Sequence, residues 1–118
     1  MDPSQGLVEG HRDFQMRATG WRNGKYGFGI RVGRENARRH FREDWRAIRV
    51  EIDGQDHEFP LRGTFWTTCP EFRGVAIGRW LRRLGMHAWE KGRPPVLELE
   101  PLGDRRFRAT LATAVRSS

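Results

Sequence analysis

"IRVGRENARRHF", Ile30–Phe41, changes its hydrophobic period partway along. Ile30 and Val32 alternate with Arg31, and Phe28 ahead of them extends the same row past Gly29. That period of two belongs to a strand with one face inside and one face out. After Gly33 the pattern shifts. Ala37 and Phe41 stand four apart among good helix formers, which predicts a short helix over Arg34–Phe41 with both on one face.

Outward from this stretch, alternation dominates. Phe14, Met16 and Ala18 alternate with Gln15 and Arg17 in a first strand. Ile48, Val50 and Ile52 face one way and Arg49 and Glu51 the other; Asp53-Gly54 turns the chain into a return strand with His57, Phe59 and Leu61. Leu97 and Leu99 alternate with Glu98 and Glu100, Leu102-Gly103-Asp104 turns, and Phe107, Ala109 and Leu111 form the last strand. "GRWLRRLG", Gly78–Gly85, interrupts the alternation. Ile77, Trp80, Leu81 and Leu84 form one stripe, Arg79, Arg82 and Arg83 lie outside it, and Gly85 suits a C-cap. The expected fold is mostly β, with about seven strands and two short helices, and a nearly closed barrel would remove the exposed edges. The expected core is Phe14, Ile30, Val32, Phe41, Ile48, Val50, Ile52, Phe59, Trp80, Leu81, Leu97, Leu99 and Phe107.

At 118 residues the chain has the size of one domain. It holds a single cysteine, so no internal disulfide is available, and no Cys/His cluster has zinc-ligand spacing. The start, "MDPSQGLVEGHRD", is polar and unlike a signal peptide, and no apolar run is long enough to span a bilayer. The expectation is an intracellular protein, cytoplasmic or nucleoid-associated. There are 22 basic residues against 15 acidic ones, giving a net charge of +7, and only Lys25 and Lys91 are lysines. Such a surplus suits a polyanionic partner, nucleic acid first. GC-rich codon usage would also favour arginine over lysine.

Catalytic signals are weak. His11-Arg12-Asp13 has the form of a kinase tripeptide without the glycine-rich loop, lysine strand or metal-binding Asp that kinase chemistry needs. "GKYGFG", Gly24–Gly29, lacks the Lys-Ser/Thr ending of a phosphate loop and reads as a turn. Cys69 has no general base near it in sequence, and His40, His57 and His87 lie in different elements. The carboxylates are interleaved with arginines, as on a solvated face. No enzymatic activity, cofactor or metal is expected.

"LRGTFWTTCPEFRG", Leu61–Gly74, is broken for a helix by Gly63 and Pro70, yet too aromatic for an idle loop. Trp66 within it, and Trp21 earlier, sit among Gly, Thr, Arg or Asn. Each can stack on a base or prop its own loop.

Taken in order, these pieces resemble the DNA-binding pseudobarrel family, shared by plant B-three transcription-factor domains and the recognition domains of EcoRII-like and BfiI-like restriction endonucleases. The likeness runs from about Phe14 to Leu111. "IRVGRENARRHF" is similar to the family's strand and short helix, hydrophobic-x-hydrophobic-Pro-x-x-x-Ala-x-x-His-Phe, with Gly33 in place of the proline. "VEIDGQDHEFPLR" resembles the hairpin before the family's second arm. "IGRWLRRLGMHAWEKGRPPVLELE" resembles the second helix and the passage into the last strands, with Gly92-Arg93 where plant members usually carry Gly-Asp.

The resemblance implies a seven-stranded open pseudobarrel over residues 13–112, between an N-terminal extension (1–12) and a C-terminal tail (113–118). It implies a monomer that grips double-stranded DNA with two arms in the major groove. The first arm would fall on Trp21, Arg22, Asn23, Gly24, Lys25 and Tyr26. The second would run from Arg62 to Arg73, with Thr64, Trp66, Thr67, Thr68, Glu71 and Arg73 as groove contacts and Phe65 and Phe72 as anchors. The residue chemistry fits independently. Arginine grips the guanine edge, asparagine pairs with adenine, threonine serves either base, and a carboxylate accepts from cytosine. Arg31, Arg34, Arg38 and Arg39 are candidates for phosphates, while Arg62 opens the second arm as a further DNA-binding candidate. The alternatives are an RNA or single-strand binder using Trp21, Tyr26 and Trp66 as stacking platforms, and a protein-interaction module with solubilising arginines. A transcription regulator and a restriction-modification component would look alike, and any cleavage would need a nuclease partner.

Overall fold

The computed structural model describes residues 16–22 and 27–112. Phe14 of the expected core, Asn23, Lys25 and Tyr26 of the first arm, and the extension and tail lie outside the described residues. The chain forms β1 (Met16–Arg22), β2 (Phe28–Arg31), α1 (Arg34–His40), β3 (Ala47–Ile52), β4 (Gln55–Pro60), α2 (Thr64–Thr67), β5 (Glu71–Arg73), α3 (Val75–Arg83), β6 (Val96–Gly103) and β7 (Arg106–Leu111).

The strands form one sheet in the order β4-β3-β7-β6-β1-β2-β5. Neighbours are antiparallel except β3 and β7, which run parallel from Arg49↔Arg106 to Glu51↔Arg108. The sheet curls until its two end strands meet. Phe59 of β4 and Phe72 of β5 bridge that seam, so the barrel is nearly closed without a full ring of backbone hydrogen bonds.

Alternation decides what lies inside. Met16, Ala18, Ile30, Ile48, Val50, Ile52, Phe59, Phe72, Leu97, Leu99, Phe107 and Ala109 all point into the barrel and are buried. At one end α1 and α2 close the interior: Phe41 stacks on Phe107 at 4.9 Å between centroids and meets Phe65 at 5.2 Å. Asn36 fixes α1 there by donating to the carbonyls of Arg17 and Val32, each at 2.9 Å. At the other end α3 buries Ile77, Trp80 and Leu81, and Arg83 pairs with Asp53 at the β3–β4 turn.

The mostly β, barrel-like fold agrees with expectation, with three differences. A third short helix, α2, forms where Gly63 and Pro70 seemed to forbid one, because a single turn fits between them; Thr68 N–H donates to the Thr64 carbonyl at 2.9 Å. The three-residue strand β5 follows it, too short to show an alternation of its own. Leu84, expected on the buried stripe of α3, is 41% exposed because the helix ends at Arg83 and the chain turns away. Gly33, at the entry to α1, has φ of 87°, a value that glycine adopts readily and proline's ring forbids.

Candidate nucleic-acid interface

The ladder registers define an outer face on β1, β2 and β5. One row across it is Thr19–Arg31–Glu71, and the next is Trp21–Gly29–Arg73. The rows are about 7 Å apart, two residues along a strand. Side chains opposite one another in adjacent strands touch, and both rows show it. In the first, Arg31 Nε donates to Glu71 Oε1 at 3.0 Å. In the second, Gly29 has no side chain, and a Cβ there would come within 3.0 Å of the Trp21 ring and 2.5 Å of the Phe72 carbonyl oxygen. That gap lets Trp21 lie across β2 towards β5, where the Arg73 guanidinium stands 5.6 Å from its ring centroid. Gly29 was missed as a site residue; a lone glycine inside an alternating strand signals such a close approach.

Trp21, Pro60, Arg62, Thr64, Glu71, Phe72 and Arg73 line one cleft of about 220 Å³ on this face. Five of them were candidate contacts read from sequence: Trp21 from the first arm and Arg62, Thr64, Glu71 and Arg73 from the second. Residues more than fifty positions apart thus converge beside the barrel seam. β1 ends at Arg22 beside Phe28, and the second arm enters β5 at Glu71 beside Arg31, so the two arms meet opposite ends of β2, about 10 Å apart by strand rise. Phe65 and Phe72, expected as anchors, are 1% and 2% exposed.

The other candidates fall elsewhere. Arg34, Arg38 and Arg39 are exposed along α1, at the same end of the barrel as the start of β5, and none has a carboxylate partner among the described residues. Thr67 on α2 and Thr68 just after it are exposed, and Thr67 Oγ1 donates back to the Gly63 carbonyl at 3.4 Å. The Trp66 ring packs edge-on against Phe65 at 5.1 Å, and its indole N–H is buried without an acceptor among the described residues. Arg22 points away from the cleft. It donates to the carbonyls of His87 and Trp89, both at 3.2 Å, and its guanidinium covers the Trp89 ring at 4.4 Å.

Charge is distributed unevenly around the barrel. The outer side of β3, β4, β6 and β7 carries Glu51, Asp56, Glu58, Glu98 and Glu100 beside Arg49, Arg106 and Arg108. Arg106 pairs with Asp56 at 3.2 Å, and Arg108 with Glu51 at 3.5 Å and Glu100 at 3.4 Å. On the β1-β2-β5 side Glu71 is the carboxylate within the ladder rows, against Arg17, Arg31 and Arg73 and the α1 arginines. Within the ladder rows, arginines therefore outnumber carboxylates on the side of the cleft and carboxylates outnumber arginines on the other. Among the described residues no group of three His, Cys, Asp or Glu side chains could hold a metal ion, and no helix is long and apolar enough to cross a membrane.

Compared with protein-family models, with curated proteins and with solved structures, the chain matches none. The fold class is that of a nearly closed, seven-stranded barrel with short helices at its ends.

Proposed function

We propose that the chain is a sequence-specific duplex DNA-binding domain that presents the β1-β2-β5 face to the major groove. The observation that carries this reading is the cleft gathering Trp21, Arg62, Thr64, Glu71 and Arg73, with the carboxylate-rich face turned away. Arg62 and Arg73 offer bidentate donors to guanine, Thr64 serves either base, and Glu71 accepts from cytosine. Arg34, Arg38 and Arg39 at the end of the barrel suit phosphates, which position a protein without reading sequence. Trp66 is half-buried against the core, so it offers an unpaired base less open ring than a free stacking platform would.

Two arms from one chain make an asymmetric reader, so a monomer suffices and no palindrome is required. Transcription regulation and the recognition step of a restriction-type system both use such a domain; in the second, cleavage falls to a partner protein. Either setting is intracellular.

The test is fluorescence anisotropy on duplex and single-stranded DNA of equal length in matched salt, with a selection from random duplexes. The expected result is tighter duplex binding and one enriched motif. Preference for the single strand would replace this reading with the stacking barrel. Binding to neither would leave the arginines as solubilising charge on a protein-interaction module.

A further inference from the structure

A groove has two walls, and the residues so far assigned to phosphates stand at one end of the barrel. Arg34, Arg38 and Arg39 lie on α1, beside the start of β5. At the opposite end, β1 finishes and β6 begins, because Thr19 pairs with Val96 in an antiparallel ladder. The loop from Gly85 to Pro95 enters β6 there, one strand beyond the hairpin that carries the first arm.

This loop is tied to β1 at several points. Gly20 N–H donates to the Pro95 carbonyl at 2.9 Å. Arg22 holds the His87 and Trp89 carbonyls and covers the Trp89 ring, whose edge meets Phe28 at 6.1 Å between centroids. Its outward side chains include His87, Lys91 and Arg93, all exposed. Glu90 is the opposing charge, and its oxygen lies 4.0 Å from Arg93 Nε with both side chains more than four-fifths exposed. A pair at that distance and exposure is too weak to withhold Arg93 from a phosphate.

We propose that the loop Gly85–Pro95 is a second phosphate-gripping element, with Lys91 and Arg93 on the backbone wall opposite the one α1 holds, and Arg22 as its positioning residue. The inference rests on the duplex-binding reading. Its scale fits: β2 runs about 10 Å from Phe28, which Trp89 of the loop meets, to Arg31, with α1 beyond it, and the major groove is about 12 Å wide. Elements at the two ends of β2 therefore stand at the rims of a groove whose base edges face the strands between them. Arg22, already engaged by two carbonyls and an aromatic face, acts through the loop it holds.

The experiment compares wild type, Lys91→Ala/Arg93→Ala, and the control Arg49→Ala/Arg106→Ala, which removes two charges from the far side of the sheet. Each is titrated with the selected duplex and with a random duplex across a salt series, after a thermal melt has established that the fold is intact. The loop variant is expected to lower the slope of log K against log salt by about two. It should weaken both duplexes by the same factor and leave the selected motif unchanged, while the control shifts the slope by far less. Arg22→Ala should reduce the further loss caused by the loop substitutions, because an untethered loop no longer presents them. An unchanged slope, or a change equal to the control's, overturns the loop assignment while wild-type duplex binding stands. Failure of wild type to prefer duplex overturns both.

Discussion

Phe59 of β4 and Phe72 of β5 lie 5.2 Å apart between ring centroids, tilted by 45°, across end strands that share no backbone ladder. This contact closes the barrel and fixes β5, hence Glu71 and Arg73, beside the cleft. Gly74 follows directly, and a Cβ there would fall 2.6 Å from Phe59 Cε1. The ring is 2% exposed and hemmed in by core, so it has little room to yield. Gly74→Ala is expected to cost about 1–3 kcal/mol through overpacking, and Phe72→Ala about 3–5 kcal/mol through the cavity it leaves. Urea denaturation measures both; midpoints equal to wild type would mean that the seam is not held by these rings.

Trp66 buries its indole N–H without an acceptor among the described residues. An unpaired buried donor costs about 1–3 kcal/mol, whereas an apolar group of similar shape does not. Trp66→Phe is therefore expected to keep or raise the melting temperature. Trp66→Ala should lower stability by about 2–4 kcal/mol by stripping the cover from Phe65. A Phe variant as damaged as the Ala variant would mean that the N–H finds a partner in solution.

Arg73 and Arg38 should behave differently towards DNA. Arg73→Ala is expected to lose about 1–3 kcal/mol at one base position and relax preference there. Arg38→Ala should weaken all duplexes alike and lower the salt slope by about one. Glu71→Gln frees Arg31 from its 3.0 Å partner, so it should strengthen binding to random duplex while blunting the selected motif. Selections and salt titrations on the three variants read these effects. A motif that survives both Arg73→Ala and Glu71→Gln would place base reading outside the cleft.

His40, in the last turn of α1, has its pKa lowered below 6.5 by burial and then by the neighbouring Arg39 guanidinium. The folded chain resists protonation there more than the unfolded chain does, so unfolding takes up a proton as pH falls past about 6.5. This contribution to stability is fully present above the unfolded pKa and declines as pH drops below it. His40→Gln should flatten that decline. Denaturation midpoints either side of that pH, compared between wild type and variant, check it; parallel pH profiles would show that His40 is equally solvated in both states.

Much of the barrel was legible because strand alternation is local. Ile48, Val50 and Ile52, or Leu97 and Leu99, announce their inward row within a handful of residues, and each of these is buried. The stripe of α3 was legible for the same reason as far as Leu81, and it failed at Leu84, where the helix stops. The stretch Leu61–Gly74 resisted, since a one-turn helix and a three-residue strand are too short to establish a period.

Residue types in the sequence by themselves determined a mostly β chain, its core and its basic surplus, and the family resemblance then singled out Trp21, Arg62, Thr64, Glu71 and Arg73 as candidates. Only the tertiary structure decided that Trp21 joins the others, across Gly29, and that Arg31 and Glu71 neutralise each other. It also turned Arg22 to the Trp89 loop and tucked Trp66 against Phe65. The physical reason is the range of the interaction. Alternation depends on neighbours in sequence, whereas the partner of an outward side chain is set by strand register, and register here joins residues as far apart as Arg17 and Glu98.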